Sequence, residues 1–265
     1  MSSKTVSDAP TAPVIFITGA TSGFGAATAR KFARNGWKVI ATGRRSGRLE
    51  KLAAEFGSDV VLPLTMDLTD ESSIRQAIAA IPAEFSPVTC LFNNGGLALG
   101  SSPMPDVDPA DWRIMVETNI MGLVTTTLGL LDSLKAAGAG ASIINVGSAA
   151  GIYAYPGGNV YGASKAFVHH FSTELRCDLA GSDIRVTSFI PGMAKTEFTT
   201  VRTHGDTAAN EAFYQGVKPI LPADVADIIW FVANIPPHLN INVLELMPII
   251  QVPTIPTILR DKPQT

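Results

Sequence analysis

The sequence predicts an α/β fold, a single doubly wound (Rossmann-type) parallel sheet with helices on both faces. Three observations carry that expectation. Short apolar runs rich in β-branched residues alternate with stretches of helical spacing. The runs are apolar nearly throughout, as a sheet covered on both sides requires. The first run ends in a glycine-rich turn that opens a helix.

Residues 14–18 form the first predicted strand, followed by a helix over 23–35 that Gly36 closes. Strand 38–42 and helix 45–56 come next, then strand 60–64 and helix 71–80. Strand 88–92 leads to a long helical stretch from 109 to about 136. Strand 142–146, helix 160–179 and strand 184–190 complete the alternation. Parallel strands joined through helices imply right-handed crossovers. The predicted organisation is an N-terminal tail over 1–12, one catalytic domain over 13–252 and a C-terminal tail over 253–265.

Composition narrows the classes of function. A hydrophobic content of 46% with 16% charged residues suits a compact protein with a large core. Twenty Lys and Arg against 23 Asp and Glu give a net charge of −3, which implies no general affinity for nucleic acid or an anionic membrane. The N-terminal stretch lacks the apolar segment of a signal peptide. The apolar region 241–259 is broken by Glu245 and several prolines and cannot span a bilayer. Cys90 and Cys177 lie far apart and near no metal-like cluster, so a reduced, cytoplasmic setting is expected and no metal.

The turn after the first strand reads Thr18-Gly19-Ala20-Thr21-Ser22-Gly23-Phe24-Gly25. Its glycines permit a tight turn and close approach of backbone to a pyrophosphate, which the helix N-terminus favours. The spacing is GxxxGxG rather than the commoner GxGxxG. An NAD site would carry an acid at the end of the second strand. This one ends Gly43-Arg44-Arg45, whose guanidinium groups suit a ribose 2′-phosphate, so NADP(H) is the expected cofactor. Asp67, followed by Leu68, either caps the next helix or contacts adenine. Asn93-Asn94-Gly95-Gly96 closes the fourth strand, both as a turn and as a surface facing the cofactor.

Tyr161 and Lys165 stand four residues apart on one helical face, thirteen residues after Ser148. A cation beside a phenol favours ionisation of a group that otherwise titrates near pH ~10, which makes a general acid/base. Tyr214 and Lys218 repeat the spacing without a serine-bearing strand before them and with Pro219 directly after. Context marks them as a decoy.

These residues together resemble the short-chain dehydrogenase/reductase family from about Val14 to Gln251. The likeness rests on TGATSGFG, NNGG, Asn119, Ser148, Tyr161-Gly-Ala-Ser-Lys165 and Pro191-Gly192. Gly95 stands where the family usually has alanine, which should slightly loosen that turn. The resemblance implies that Tyr161 transfers the proton, that Lys165 depresses its pKa and binds the nicotinamide ribose, and that Ser148 holds the substrate oxygen. Asn119 would support a relaying water, and Thr196 would contact the nicotinamide side. More locally the chain is similar to NADP-dependent 3-hydroxy acid dehydrogenases acting on L-allo-threonine and serine, with sulfoacetaldehyde reductases as near relatives. ATGRR, GLALG, GGNVYGASKAFV and NINVLELMP carry that likeness.

A small anionic hydroxy or oxo substrate is therefore expected. Arg202 is the candidate anchor for its carboxylate or sulfonate, the alternative being a solvated loop charge. Tyr153 and Tyr155, between Ser148 and Tyr161, are expected to line the pocket or to pack. His204 reads as solvated, and His169 and His170 as structural or interface residues. A dehalogenase-like relative would lose the glycine loop and the lysine, and a non-catalytic NADP sensor would lose part of the trio. All are present. The resemblance also implies a homotetramer with interfaces on 111–136 and 160–179.

Overall fold

A computed structural model of the chain describes residues 12–203, 205 and 214–253. Seven strands form one parallel sheet: β1 (Val14–Ile17), β2 (Lys38–Gly43), β3 (Val61–Thr65), β4 (Cys90–Asn93), β5 (Ser142–Val146), β6 (Arg185–Pro191) and β7 (Val243–Leu246). Their order is β3-β2-β1-β4-β5-β6-β7, so the chain reverses direction across the sheet between β1 and β4. At such a switch point the crossovers diverge and leave a crevice beyond the carboxyl ends of the strands. The helices are α1 (Gly23–Arg34), α2 (Ser46–Phe56), α3 (Glu71–Ala79), α4 (Pro109–Val116), α5 (Gly122–Ala137), α6 (Asn159–Asp178), α7 (Phe198–Arg202) and α8 (Pro222–Ala233).

Alternation along each strand feeds two cores. Ile15, Ile17, Val39 and Phe92 face α1, α2 and α8, where Phe32, Leu52 and Ile229 meet them. Phe16, Ile40, Leu91 and Ile143 face the opposite layer with Ile74, Leu130 and Leu175. Phe32 packs edge-on to Trp37 at 5.0 Å and to Trp230 at 5.1 Å, which ties α1 to α8. Aromatic pairs of this kind contribute about 0.5–1.5 kcal/mol each beyond their burial.

Two features depart from the sequence-based expectation. The predicted elements stop at residue 190, whereas α8 and β7 follow and complete the sheet edge. The carboxylate of Asp224 accepts the Leu221 N–H at 2.8 Å and so closes the start of α8. The single helix expected over 109–136 is interrupted by a π-helical turn at Glu117–Met121 that carries Asn119. Pro109–Ala137 is long and apolar enough by length and composition to cross a membrane. Leu130 and Leu134 nevertheless pack into the core beneath the sheet.

Candidate active site

A cleft of about 840 Å³ opens at the carboxyl edge of the strands, within the range of ligand sites. The β1–α1 turn forms its floor. Gly19 and Gly23 have φ of +70° and +52°, where a side chain is strained. A Cβ on Gly25 would run into the Gly19 carbonyl oxygen and stand 2.7 Å from Asn94 Nδ2. Gly25 and the buried Thr18 therefore shape the turn from behind, while Gly19, Thr21, Ser22, Gly23 and Phe24 line the cleft. Ser22 stands at the N-cap of α1, but its hydroxyl accepts from Arg45 rather than capping the helix. The first-turn amides of α1 thus have no side-chain cap, the arrangement suited to an anion.

The β4 end is clamped to this turn. Asn94 Nδ2 donates to the Thr18 carbonyl at 2.9 Å, and the Gly95 N–H donates to Thr18 Oγ1 at 2.7 Å. The loosening expected from Gly95 does not occur. Its amide is held by Thr18, and Leu68 Cδ1 fills the space that an alanine methyl would take. Asp67 makes a local turn by accepting from Thr69 N and Oγ1, and it lines the cleft beside Leu68. Helix capping belongs instead to Asp70, which accepts the Ser72 N–H at 2.8 Å. Asp67 is thereby left facing the cleft.

Arg44 and Arg45 lie exposed on the rim. Arg45 donates to Thr21 Oγ1 at 2.7 Å, to Ser22 Oγ at 2.9 Å and to Glu197 at 2.8 Å. Arg48 and Glu197, which the sequence did not single out, complete this cluster.

On the opposite wall, Ser148 at the end of β5 and Tyr161 on α6 both line the cleft, with the Ser148 hydroxyl near enough to favour the ionised phenol. Close packing makes that possible. A Cβ on Gly151 would stand 2.6 Å from the Lys165 carbonyl carbon, so only glycine lets the turn after Ser148 lie on α6. Burial pushes the Tyr161 phenol up to about 12, against lowering by the Ser148 hydrogen bond and the Arg202 charge. Burial also brings Lys165 down to about 8. Its Nζ donates to the Val146 carbonyl at 2.8 Å. In this structure the Lys165 ammonium turns to that carbonyl, and a second cation stands at the phenol. Arg202 is that cation, with its guanidinium carbon 5.8 Å from the Tyr161 ring centroid.

Asn119 holds the β4 loop in place. Its Oδ1 accepts the Leu97 N–H, and its Nδ2 donates to the Leu97 carbonyl and to Ser164 Oγ. Gly96 keeps space open between two of these groups. A Cβ there would stand 3.1 Å from Lys165 Nζ and 3.2 Å from Asn119 Oδ1.

Pro191 and Gly192 line the cleft at the end of β6, where Gln251 Oε1 accepts the Met193 N–H at 2.6 Å. Thr196 follows, and its hydroxyl accepts the Phe198 N–H at 3.1 Å. Helix α7 then lines the cleft. Arg202 at its end donates to the Gly100 carbonyl and, at 3.0 Å, to the Tyr155 hydroxyl, with its guanidinium 5.5 Å over the Tyr155 ring. Tyr155 thus orients Arg202, and Tyr153 lines the cleft in hydrogen-bond contact with Glu245. Glu197 and Phe198 were not singled out by the sequence, because their proximity to the site comes from long-range packing.

Tyr214 and Lys218 do not share a helix. The Tyr214 hydroxyl contacts Thr199 Oγ1 at 2.6 Å and donates to the Ala194 carbonyl at 2.8 Å, so it anchors α7. His169 Nδ1 lies 3.1 Å from Ser188 Oγ, and His170 pairs with Glu174 on the surface of α6. His204 lies outside the described residues.

Comparison with known proteins agrees with this geometry. Sulfoacetaldehyde reductase 2 of Chromohalobacter salexigens is 52% identical over 236 residues, which cover 89% of this chain and 94% of the relative. Serine 3-dehydrogenase of Agrobacterium fabrum is 52% identical over 238 residues, with the same two shares covered. Among solved structures, the closed form of serine dehydrogenase complexed with NADP+ superposes with a TM-score of 0.87 at 44% identity, covering 90% of this chain and 96% of that one. The family model for short chain dehydrogenases matches residues 13–207. That match runs through the strand ends and the helix that carry Ser148, Tyr161 and Lys165, and the chain belongs to the short chain dehydrogenase family.

Proposed function

We propose that this protein is an NADP-dependent oxidoreductase interconverting a small 3-hydroxy acid and its 3-oxo form, with Tyr161 as the acid/base. The observation that carries the substrate class is Arg202, held over the Tyr161 ring and tied to Tyr155. A carboxylate on that guanidinium places a hydroxyl two carbons away beside the Tyr161 phenol. Serine, L-allo-threonine and 3-hydroxypropionate all have this spacing.

The residues present fit NADP. The glycine turn and the α1 amides suit the pyrophosphate, Asp67 and Leu68 the adenosine, and Arg44 and Arg45 the 2′-phosphate. Thr196, Pro191 and Gly192 flank the nicotinamide side together with Asn94 and Gly95. Bound NADP supplies the hydride acceptor or donor. Ser148 holds the substrate oxygen, and Tyr161 accepts the hydroxyl proton in oxidation or returns it in reduction. Lys165, on α6 with its Nζ at the Val146 carbonyl, would supply positive charge to the nicotinamide ribose. Asn119 and Gly96 keep the adjoining space in shape. Oxidation of a 2-amino-3-hydroxy acid yields a β-keto acid prone to decarboxylation.

A second reading, reduction of sulfoacetaldehyde to isethionate, is favoured by the equal identity to a sulfoacetaldehyde reductase and a serine dehydrogenase. A sulfonate presents its charge to Arg202 at the same spacing. Residues 13–252 constitute the catalytic domain in this reading. The protein acts in the cytoplasm as a homotetramer, without nucleic-acid or membrane partners. Exposed Leu128 on α5 and Phe167 on α6 support burial of those helices between subunits.

The test measures NADPH and NADH oxidation with malonic semialdehyde and sulfoacetaldehyde, and the reverse reaction with L-allo-threonine, L-serine and 3-hydroxypropionate. Turnover with NADPH on these anions is expected. A preference for NADH overturns the cofactor assignment. NADPH binding without turnover on any carbonyl compound identifies a sensor instead.

A further inference from the structure

Two arginines of the cofactor rim converge on one carboxylate from a distant part of the chain. Arg45 Nη1 lies 2.8 Å from Glu197 Oε2, and Arg48 Nη1 lies 2.8 Å and 2.9 Å from the two Glu197 oxygens. Arg45 spends its other donors on Thr21 and Ser22 of the phosphate-binding turn, and Arg48 reaches the Thr21 carbonyl at 3.3 Å. The carboxylate therefore sits where the cationic rim and the phosphate turn meet. Burial pushes the Glu197 carboxyl up, but hydrogen bonds and charge from Arg45 and Arg48 outweigh it and hold the group ionised below the usual range.

Glu197 is also the N-cap residue of α7, whose other end carries Arg202. The short helix is thus tethered at both ends by charge. Glu197 binds the cofactor rim, while Arg202 binds Gly100 and Tyr155 on the substrate wall.

We propose that Glu197 is a specificity and positioning residue, an internal anion that, braced by Arg48, occupies Arg45 in place of the cofactor's 2′-phosphate and tethers the substrate-covering helix to that seat. A ribose 2′-phosphate and the Glu197 carboxylate are alternative acceptors for the same planar fork, so the two compete. The inference rests on the NADP reading above. Glu197 weakens 2′-phosphate binding by competition and leaves ligands without that phosphate unaffected. The same tether keeps Arg202 in register.

The experiment titrates wild type and Glu197→Gln with adenosine 2′,5′-bisphosphate and with ADP by calorimetry. Wild type is expected to prefer the bisphosphate. Glu197→Gln is expected to bind it roughly fivefold more tightly, the size of a partly exposed ion pair, with ADP binding unchanged. At saturating NADPH, the KM of the variant for an anionic substrate rises while kcat stays close to wild type. Bisphosphate binding that is unchanged or weaker in the variant overturns the inference and leaves the NADP reading intact. A wild type that binds ADP as well as the bisphosphate overturns the NADP reading, and the inference with it.

Discussion

Replacing Lys165 with methionine should stabilise the cofactor-free protein at neutral pH while abolishing turnover. Lys165 is 5% exposed, and burial lowers it from 10.5 to about 8. A drop of that size represents about 3 kcal/mol of folding free energy lost to burying the charge at pH 7. Methionine removes the charge but leaves the Val146 carbonyl without its 2.8 Å donor, which costs about 1–2 kcal/mol. The net gain is about 1–2 kcal/mol, or roughly 3–6 °C in Tm for a chain of this length.

The sign depends on pH. Below pH 8 the lysine is protonated in both folded and unfolded states, and the full cost is present. Between pH 8 and 10.5 the folded state has released the proton while the unfolded state retains it, so the wild type gains stability as pH rises. The advantage of Lys165→Met should therefore vanish by about pH 10. Thermal melts of both proteins at equal concentration, at pH 7 and pH 10 without cofactor, provide the measurement. A variant that melts below wild type by the same margin at both pH values refutes the burial argument. Such a site would follow the pattern in which catalytic groups lower stability.

Arg202→Ala should raise the KM for a carboxylate or sulfonate substrate about 10- to 100-fold, the size of a lost charge-assisted pair, and should change an uncharged carbonyl substrate far less. Steady-state kinetics on the two substrate types decide it, and equal effects on both would dismiss Arg202 as the anchor. Gly25→Ala drives a methyl against the Gly19 backbone, which cannot swing aside as a side chain can. NADPH affinity should fall at least about tenfold with about 1–3 kcal/mol of lost stability, read by NADPH titration and melting. Unaltered NADPH affinity would show that the turn has slack.

Much of the fold is written in local pattern. The apolar runs from β1 to β6 fall within a few residues of where the sequence places them, because a strand buried on both faces cannot disguise its composition. β7 is short and half exposed, so it does not show the same signature, whereas α8 opens on Pro222, a start signal that the sequence reading passed over. The π-helical turn at Asn119 was equally hidden. It accompanies contacts between Asn119 and Leu97, 22 residues away in sequence.

The Ser148–Tyr161–Lys165 set was likewise legible, because spacing on one helix after one strand is a local fact. That Arg202 also stands over the phenol was not. Lys165 is Tyr161's neighbour in sequence, yet its ammonium turns to the Val146 carbonyl, and the charge over the ring comes from Arg202 across the cleft. Only tertiary structure could decide this, as it decided the pairing of Arg45 and Arg48 with Glu197, about 150 residues distant. By itself the sequence determined the sheet, the glycine turn after β1 and the placing of Ser148, Tyr161 and Lys165 on one strand end and one helix, since each depends on near neighbours. The electrostatics of the site depends on where loops from distant strand ends meet, and those distances exist only once the chain has folded.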